Sequence, residues 1–128
     1  MTVEQKIITV IDDNSDMTTL LTTLLEMEKF KVIPLINTSK ENITKSLQIQ
    51  KPHVIIMDIH LHESNGLEIL SYIKEDPFLK EIKVILTSGE YLEFESLAAG
   101  ADYFLLKPYM PKNLLKLLSK LTNEKEGE

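Results

Sequence analysis

Five times along this 128-residue chain, a short apolar run is followed by a stretch with helical periodicity. That alternation admits few folds, because parallel strands need crossover connections and a helix is the usual crossover. The spacing predicts strands at Ile7–Ile11, Lys31–Leu35, His53–Asp58, Lys83–Ser88 and Asp102–Leu106. Pro34 within the second run argues for a sheet edge, since proline cannot donate to a ladder. "HVIIM" is apolar at nearly every position before Asp58, as a central strand covered on both faces requires. Between the strands, Met17, Leu20, Leu21, Leu24 and Leu25 mark one face of a first helix capped by Asn14 or Ser15. Ile43 and Leu47 mark a second helix over Ser39–Gln48, and Leu67, Leu70 and Ile73 a third that leaves at "DPF". Leu92–Ala99, closed by Gly100, reads as a short fourth helix. Pro111 opens a fifth, with Leu114, Leu117, Leu118 and Leu121 inward. The fold class is therefore α/β, a doubly wound five-stranded parallel sheet, read as one domain with a core over about 6–121 and a polar tail at 122–128.

Composition narrows the function classes. There is no cysteine, which excludes a disulfide framework, a thiolate metal site and a cysteine nucleophile. All 14 basic residues are lysine, against 20 acidic ones, for a formal charge of −6. No basic cluster suited to gripping phosphates is present, so no direct nucleic-acid partner is expected. No apolar run approaches a membrane span and "MTVEQKI" lacks the plan of a signal peptide, so a cytoplasmic protein with no membrane partner is expected.

The chemistry collects where an open parallel sheet binds ligands, beyond the carboxyl ends of its strands. Asp12 and Asp13 follow the first strand, Asp58 ends the third, Ser88 the fourth, and Lys107 follows the fifth. Taken singly, strand-end aspartates are turn formers or helix caps, and a lone lysine is a solvated surface group. Their convergence on one sheet edge points further. Three carboxylates and one ammonium leave a local charge that one hard divalent cation neutralises, and Mg2+ or Mn2+ suits an all-oxygen set. With the cation seated, Asp58 can act as nucleophile toward a phosphoryl group, while Lys107 and Ser88 steady its oxygens. In the absence of metal the acid pair should be strained by like-charge repulsion, and Asp13→Asn is expected to relieve it.

"VIDDN", "MDIHLHESNG", "VILTSGE" and "GADYFLLKPY" occur in order at these strand ends, and together they resemble the receiver domains of two-component response regulators, the CheY-like superfamily. The resemblance runs from about Lys6 to Leu121 and implies the flavodoxin-like (βα)5 fold. It implies phosphorylation of Asp58 by a histidine kinase or histidine phosphotransfer protein. The metal would be held by Asp13, Asp58 and the backbone carbonyl of His60, with Asp12 acting largely through water. Ser88 and Phe104 would form the switch pair. Such a protein is a signalling phosphoacceptor that catalyses only its own phosphorylation and dephosphorylation. Its output goes to a downstream protein or to an output domain outside this sequence, with a phosphorylation-dependent homodimer left open. Ser88 is preferred to Thr87 because it lies 30 residues after Asp58 and precedes small Gly89. The family usually has proline where His62 stands, and the Gly89–Ala99 segment is shorter than usual.

Three rival readings share the architecture. A flavodoxin-like cofactor binder needs a phosphate cradle after the first strand, and "DDNSD" would repel a phosphate. A haloacid-dehalogenase-type phosphohydrolase needs an aspartate two residues past its nucleophile, where His60 stands. A receiver-fold adaptor without phosphotransfer would have no need of the full acidic set. His60 and His62 invite a histidine metal site, but two loop histidines without a third soft ligand are more often surface residues.

Overall fold

The structure, a computed structural model, describes residues 4–122. Five strands and five helices alternate strictly: β1 (Ile7–Ile11), α1 (Ser15–Met27), β2 (Lys31–Leu35), α2 (Lys40–Ile49), β3 (Val54–Asp58), α3 (Gly66–Glu75), β4 (Lys83–Ser88), α4 (Glu93–Ala98), β5 (Tyr103–Leu106) and α5 (Pro111–Thr122). All strand pairs are parallel, in the order β2-β1-β3-β4-β5. The order reverses between β1 and β3, and the crevice at such a switch point is where doubly wound sheets take ligands. β2, with Pro34, is the edge strand that its sequence implied.

Strand alternation sorts the core into two layers. Ile55 and Met57 of β3 face one side, with Ile43 and Leu47 of α2 and Ile69, Leu70 and Ile73 of α3. Val54 and Ile56 face the other, with Leu21 and Leu25 of α1 and Leu114 and Leu118 of α5. All but Leu21 and Ile56 of these side chains are fully buried, so both faces of the central strand are removed from water, the main stabilising term for a sheet of this kind. At the opposite edge from the switch point, the ring of His53 accepts the Ile7 amide proton through Nδ1 at 3.0 Å, aligning the starts of β1 and β3.

Element ends follow local chemistry. Asn14, Ser39 and Asn65 cap α1, α2 and α3 by accepting amide protons at Met17, Asn42 and Leu67. Gly100 ends the turn after α4 with φ of 108°, the left-handed region that glycine adopts at least cost. Gly66 has a different role. A Cβ there would lie 2.7 Å from the Asp58 carbonyl oxygen and 2.8 Å from Ile59 Cα, so only glycine lets α3 start directly against the end of β3.

Two expectations are corrected, and a third falls almost wholly outside the described residues. Leu20, placed on the inward face of α1 by periodicity, is 58% exposed, and Thr18 is buried instead, its hydroxyl donating to the Asp12 carbonyl at 3.2 Å. Asp102 stands just before β5 rather than in it, with its carboxylate accepting the Val84 amide at 2.8 Å. Thr122 is the last residue of α5, and the rest of the expected polar tail lies outside the described residues.

Candidate functional site

β1 and β3 end side by side at the switch point, which brings three carboxylates to the mouth of one open cleft of about 390 Å³. Asp12, Asp13 and Asn14 line it from β1, Asp58 and His60 from β3, and Lys107 from the end of β5, with His62 completing the rim. Lys107 stands between two of the acids: its Nζ donates to Asp12 Oδ2 at 3.1 Å and to Asp58 Oδ2 at 3.2 Å. The Lys107–Pro108 peptide is cis. Burial works to lower the Lys107 pKa, but the hydrogen bonds and charges of Asp12 and then Asp58 outweigh it and hold the ammonium above its ordinary value. The phenol of neighbouring Tyr109 is pushed up to about 12 by burial and by the negative charge of the same two aspartates.

Each carboxylate is also held from its own loop. Asp12 Oδ1 accepts the Asn14 amide at 2.8 Å and Asp58 Oδ1 the His60 amide at 3.3 Å. Asp13 reaches furthest: Oδ1 accepts the hydroxyl proton of Thr38, and Oδ2 the main-chain N–H of His62. The imidazole of His62, by contrast, is largely exposed and only 3.9 Å from Asp13 at its nearest nitrogen. His60 Nε2 meets Glu90 Oε1 at 3.0 Å, between two exposed side chains.

Ser88 and Phe104 are not on this cleft. Ser88 is fully buried at the end of β4, and its Oγ accepts the Glu90 amide at 2.9 Å. Thr87 beside it is also buried, and its carbonyl accepts the Ile59 amide. Phe104 packs into the layer under α3 and meets Tyr91 edge to face, with ring centroids 6.1 Å apart.

The donor set suits a hard divalent cation in kind, since all the acidic groups are carboxylates on one solvent-open cleft, no thiolate competes, and the two histidines on it have largely exposed rings, that of His60 engaged by Glu90. Among the described residues, no three acidic or imidazole side chains are drawn together as a ready-made ligand set. The reason is visible in the contacts: Lys107 spans Asp12 and Asp58, and Asp13 is turned toward Thr38 and His62. Those last contacts also bear on the expected strain. A carboxylate that accepts two hydrogen bonds loses both charge-assisted partners when it becomes an amide, which offsets any relief of repulsion. Asp13→Asn is therefore not the simple gain that the bare "DD" suggested.

Thr38 was missed in the sequence. It follows β2, whose carboxyl end carries no acid to draw attention to it, and a hydroxyl three residues beyond Leu35 on the same sheet edge is the available signal.

A five-stranded 2-1-3-4-5 sheet, with an acid pair, a strand-end aspartate and a lysine gathered at its carboxyl edge, defines a doubly wound α/β domain with an acidic ligand cleft. The response regulator receiver domain matches residues 8–119, and the chain belongs to that family. It is 27% identical over 118 residues to the chemotaxis protein CheY of Thermotoga maritima, covering 91% of this chain and 98% of that one. It is 32% identical to the two-component response regulator ORR7 of Oryza sativa subsp. japonica, covering 87% of this chain and 54% of that protein. In structure it is similar to the receiver domain of the Francisella response regulator 1452, with a TM-score of 0.86 at 18% identity over 94% of this chain and 99% of that one. The chain thus spans nearly all of one curated relative and about half of another. Receiver domains of two-component systems are signalling modules rather than metabolic enzymes, their phosphoacceptor role is typical, and they typically use Mg2+ at the acidic pocket. No helix among the described residues is long and apolar enough to cross a membrane.

Proposed function

We propose that this chain is a phosphoacceptor receiver that takes a phosphoryl group from a histidine kinase or histidine phosphotransfer protein onto Asp58. The observation that carries this reading is the bridging of Asp12 and Asp58 by Lys107 at 3.1 and 3.2 Å, at the switch point of the sheet. A carboxylate oxygen of Asp58 attacks phosphorus and the bond from phosphorus to the donor breaks, so charge builds on the phosphoryl oxygens. Lys107 is within reach of that charge and can leave Asp12 to meet it. Mg2+ or Mn2+, held by Asp13, Asp58 and the His60 carbonyl, with Asp12 acting largely through water, would neutralise the rest. Ser88 then exchanges its Glu90 contact for a phosphoryl oxygen, and Phe104 repacks with it; these two form the switch. The result is a changed binding surface for a downstream protein, an output domain or a second copy of the chain. The whole of about residues 6–121 acts as one receiver unit, in the cytoplasm, catalysing only its own phosphorylation and dephosphorylation.

The test is incubation with acetyl phosphate and Mg2+ followed by intact mass measurement. Wild type gains one phosphoryl group, chelator prevents it, and Asp58→Asn gains none. Equal modification of Asp58→Asn would overturn the assignment of the acceptor.

A further inference from the structure

Asp13 is the one acid of the site whose side chain is held by two neighbouring loops. The Thr38 hydroxyl, from the loop after β2, donates to its Oδ1, and the His62 main-chain N–H, from the loop after β3, donates to its Oδ2. The two donors stand on different sides. His62 lines the cleft, whereas Thr38 does not and is only 2% exposed. Thr38 is itself anchored, since its main-chain carbonyl accepts the Ser64 hydroxyl at 2.7 Å. A hydrogen-bonded chain thus runs from Ser64 through Thr38 to Asp13 and back to His62, two residues from its start.

We propose that Thr38 is a positioning residue for the divalent cation, holding the Asp13 carboxylate from behind so that its remaining lone pairs face the cleft. This rests on the reading of the acidic cleft as a cation site. The physical argument concerns freedom and direction. An unheld aspartate carboxylate turns about its terminal torsion, and a cation that needs it in one orientation must freeze that motion on binding. A buried hydroxyl that already donates to Oδ1 freezes it beforehand. It leaves Oδ1 a further acceptor site, because an ionised carboxylate offers about four. The His62 N–H, in contrast, takes up an Oδ2 site on the cleft side, where a cation would compete with it. Thr38 therefore favours the bound state and His62 the free one. Hydrogen-bond partners of metal ligands commonly change affinity by about 10- to 100-fold when removed, which sets the scale expected here.

The test is calorimetric titration of the metal-free, unphosphorylated protein with Mg2+. Thr38→Val keeps the shape and loses the donor, and should raise the Mg2+ dissociation constant by about 10-fold or more. Thr38→Ser keeps the donor and should bind close to wild type. Failure of wild type itself to bind Mg2+ would overturn the cation reading beneath the proposal. A wild type that binds beside a Thr38→Val that binds equally well would overturn the role of Thr38 alone. So would equal weakening in Thr38→Val and Thr38→Ser, or a lower melting temperature in Thr38→Val with an unchanged dissociation constant, since either reports packing rather than positioning. Should Thr38→Val not fold, the wild-type amide spectrum decides: Mg2+ should shift Thr38 and Ser64 together with Asp13, and the absence of any shift at Thr38 would sink the proposal.

Discussion

Replacing Lys107 by methionine removes the ammonium while keeping most of the side chain's length and apolar stem. In wild type this ammonium lies 3.1 Å from Asp12 and 3.2 Å from Asp58, and the three side chains are 23%, 7% and 15% exposed, respectively. At an effective dielectric of about 20, each contact is worth about 5 kcal/mol in Coulomb terms before desolvation. Burying an ammonium cancels much of that, and methionine regains the desolvation cost. Against this, the two aspartates are left facing each other with no counter-charge. Breaking a fully buried pair in this way costs about 3–5 kcal/mol, and the partial exposure here reduces the figure to about 2–3 kcal/mol. For a domain of this length that lowers Tm by roughly 8–12 °C. The expected result has a second part. Without the ammonium the cleft is more negative, so Mg2+ binds Lys107→Met more tightly than wild type, and each tenfold gain in affinity restores about 1.4 kcal/mol by mass action on the folded state. Thermal melts of both proteins in chelator and in millimolar Mg2+ check it. The deficit should be large in chelator and clearly smaller with Mg2+. A deficit of the same size in both, or a variant at least as stable as wild type in chelator, would refute the view that lysine and cation neutralise the same acids.

Three further outcomes are expected. In chelator, Asp13→Asn should melt no higher than wild type, because two charge-assisted hydrogen bonds become ordinary ones as about 1 kcal/mol of repulsion is relieved. Asp13→Ala should melt lower, by about 1–2 kcal/mol, since it strands the Thr38 hydroxyl and the His62 amide; a clear stabilisation in either variant would restore the strained-pair reading. His53 is held below its usual imidazole pKa, first by burial and then by Lys6, with Glu4 opposing. Its neutral ring accepts the Ile7 amide proton, so its contribution to stability is full above about pH 6.5 and is lost as pH falls below that value. His53→Gln, whose amide oxygen can still accept, should lose less stability between pH 7 and pH 5 than wild type in urea melts, and parallel losses would show that other groups control this range.

What was legible in the sequence is what rigid elements determine. Strands end at defined places, so Asp12, Asp58 and Lys107 could be brought together across separations of 49 and 95 residues by counting strand ends alone. The same rule misjudges what lies one step away from a strand. The apolar template put Leu20 inward, whereas α1 docks with Thr18 inward, because that hydroxyl can satisfy the Asp12 carbonyl beside the buried strand end. Thr38 lies in a loop where no periodicity applies, and only the path of the chain after β2 carries its hydroxyl to Asp13. His62 is harder still to read. Its imidazole invites a metal-site interpretation, yet the ring is largely exposed and the group that reaches Asp13 is the main-chain N–H. Any residue but proline would supply that proton. The property that matters at position 62 is then the presence of a backbone donor, and side-chain chemistry cannot express it. A proline there would remove that donor and leave one more Asp13 carboxylate lone pair unoccupied. The departure at His62 thus bears on the acid pair rather than on the loop alone.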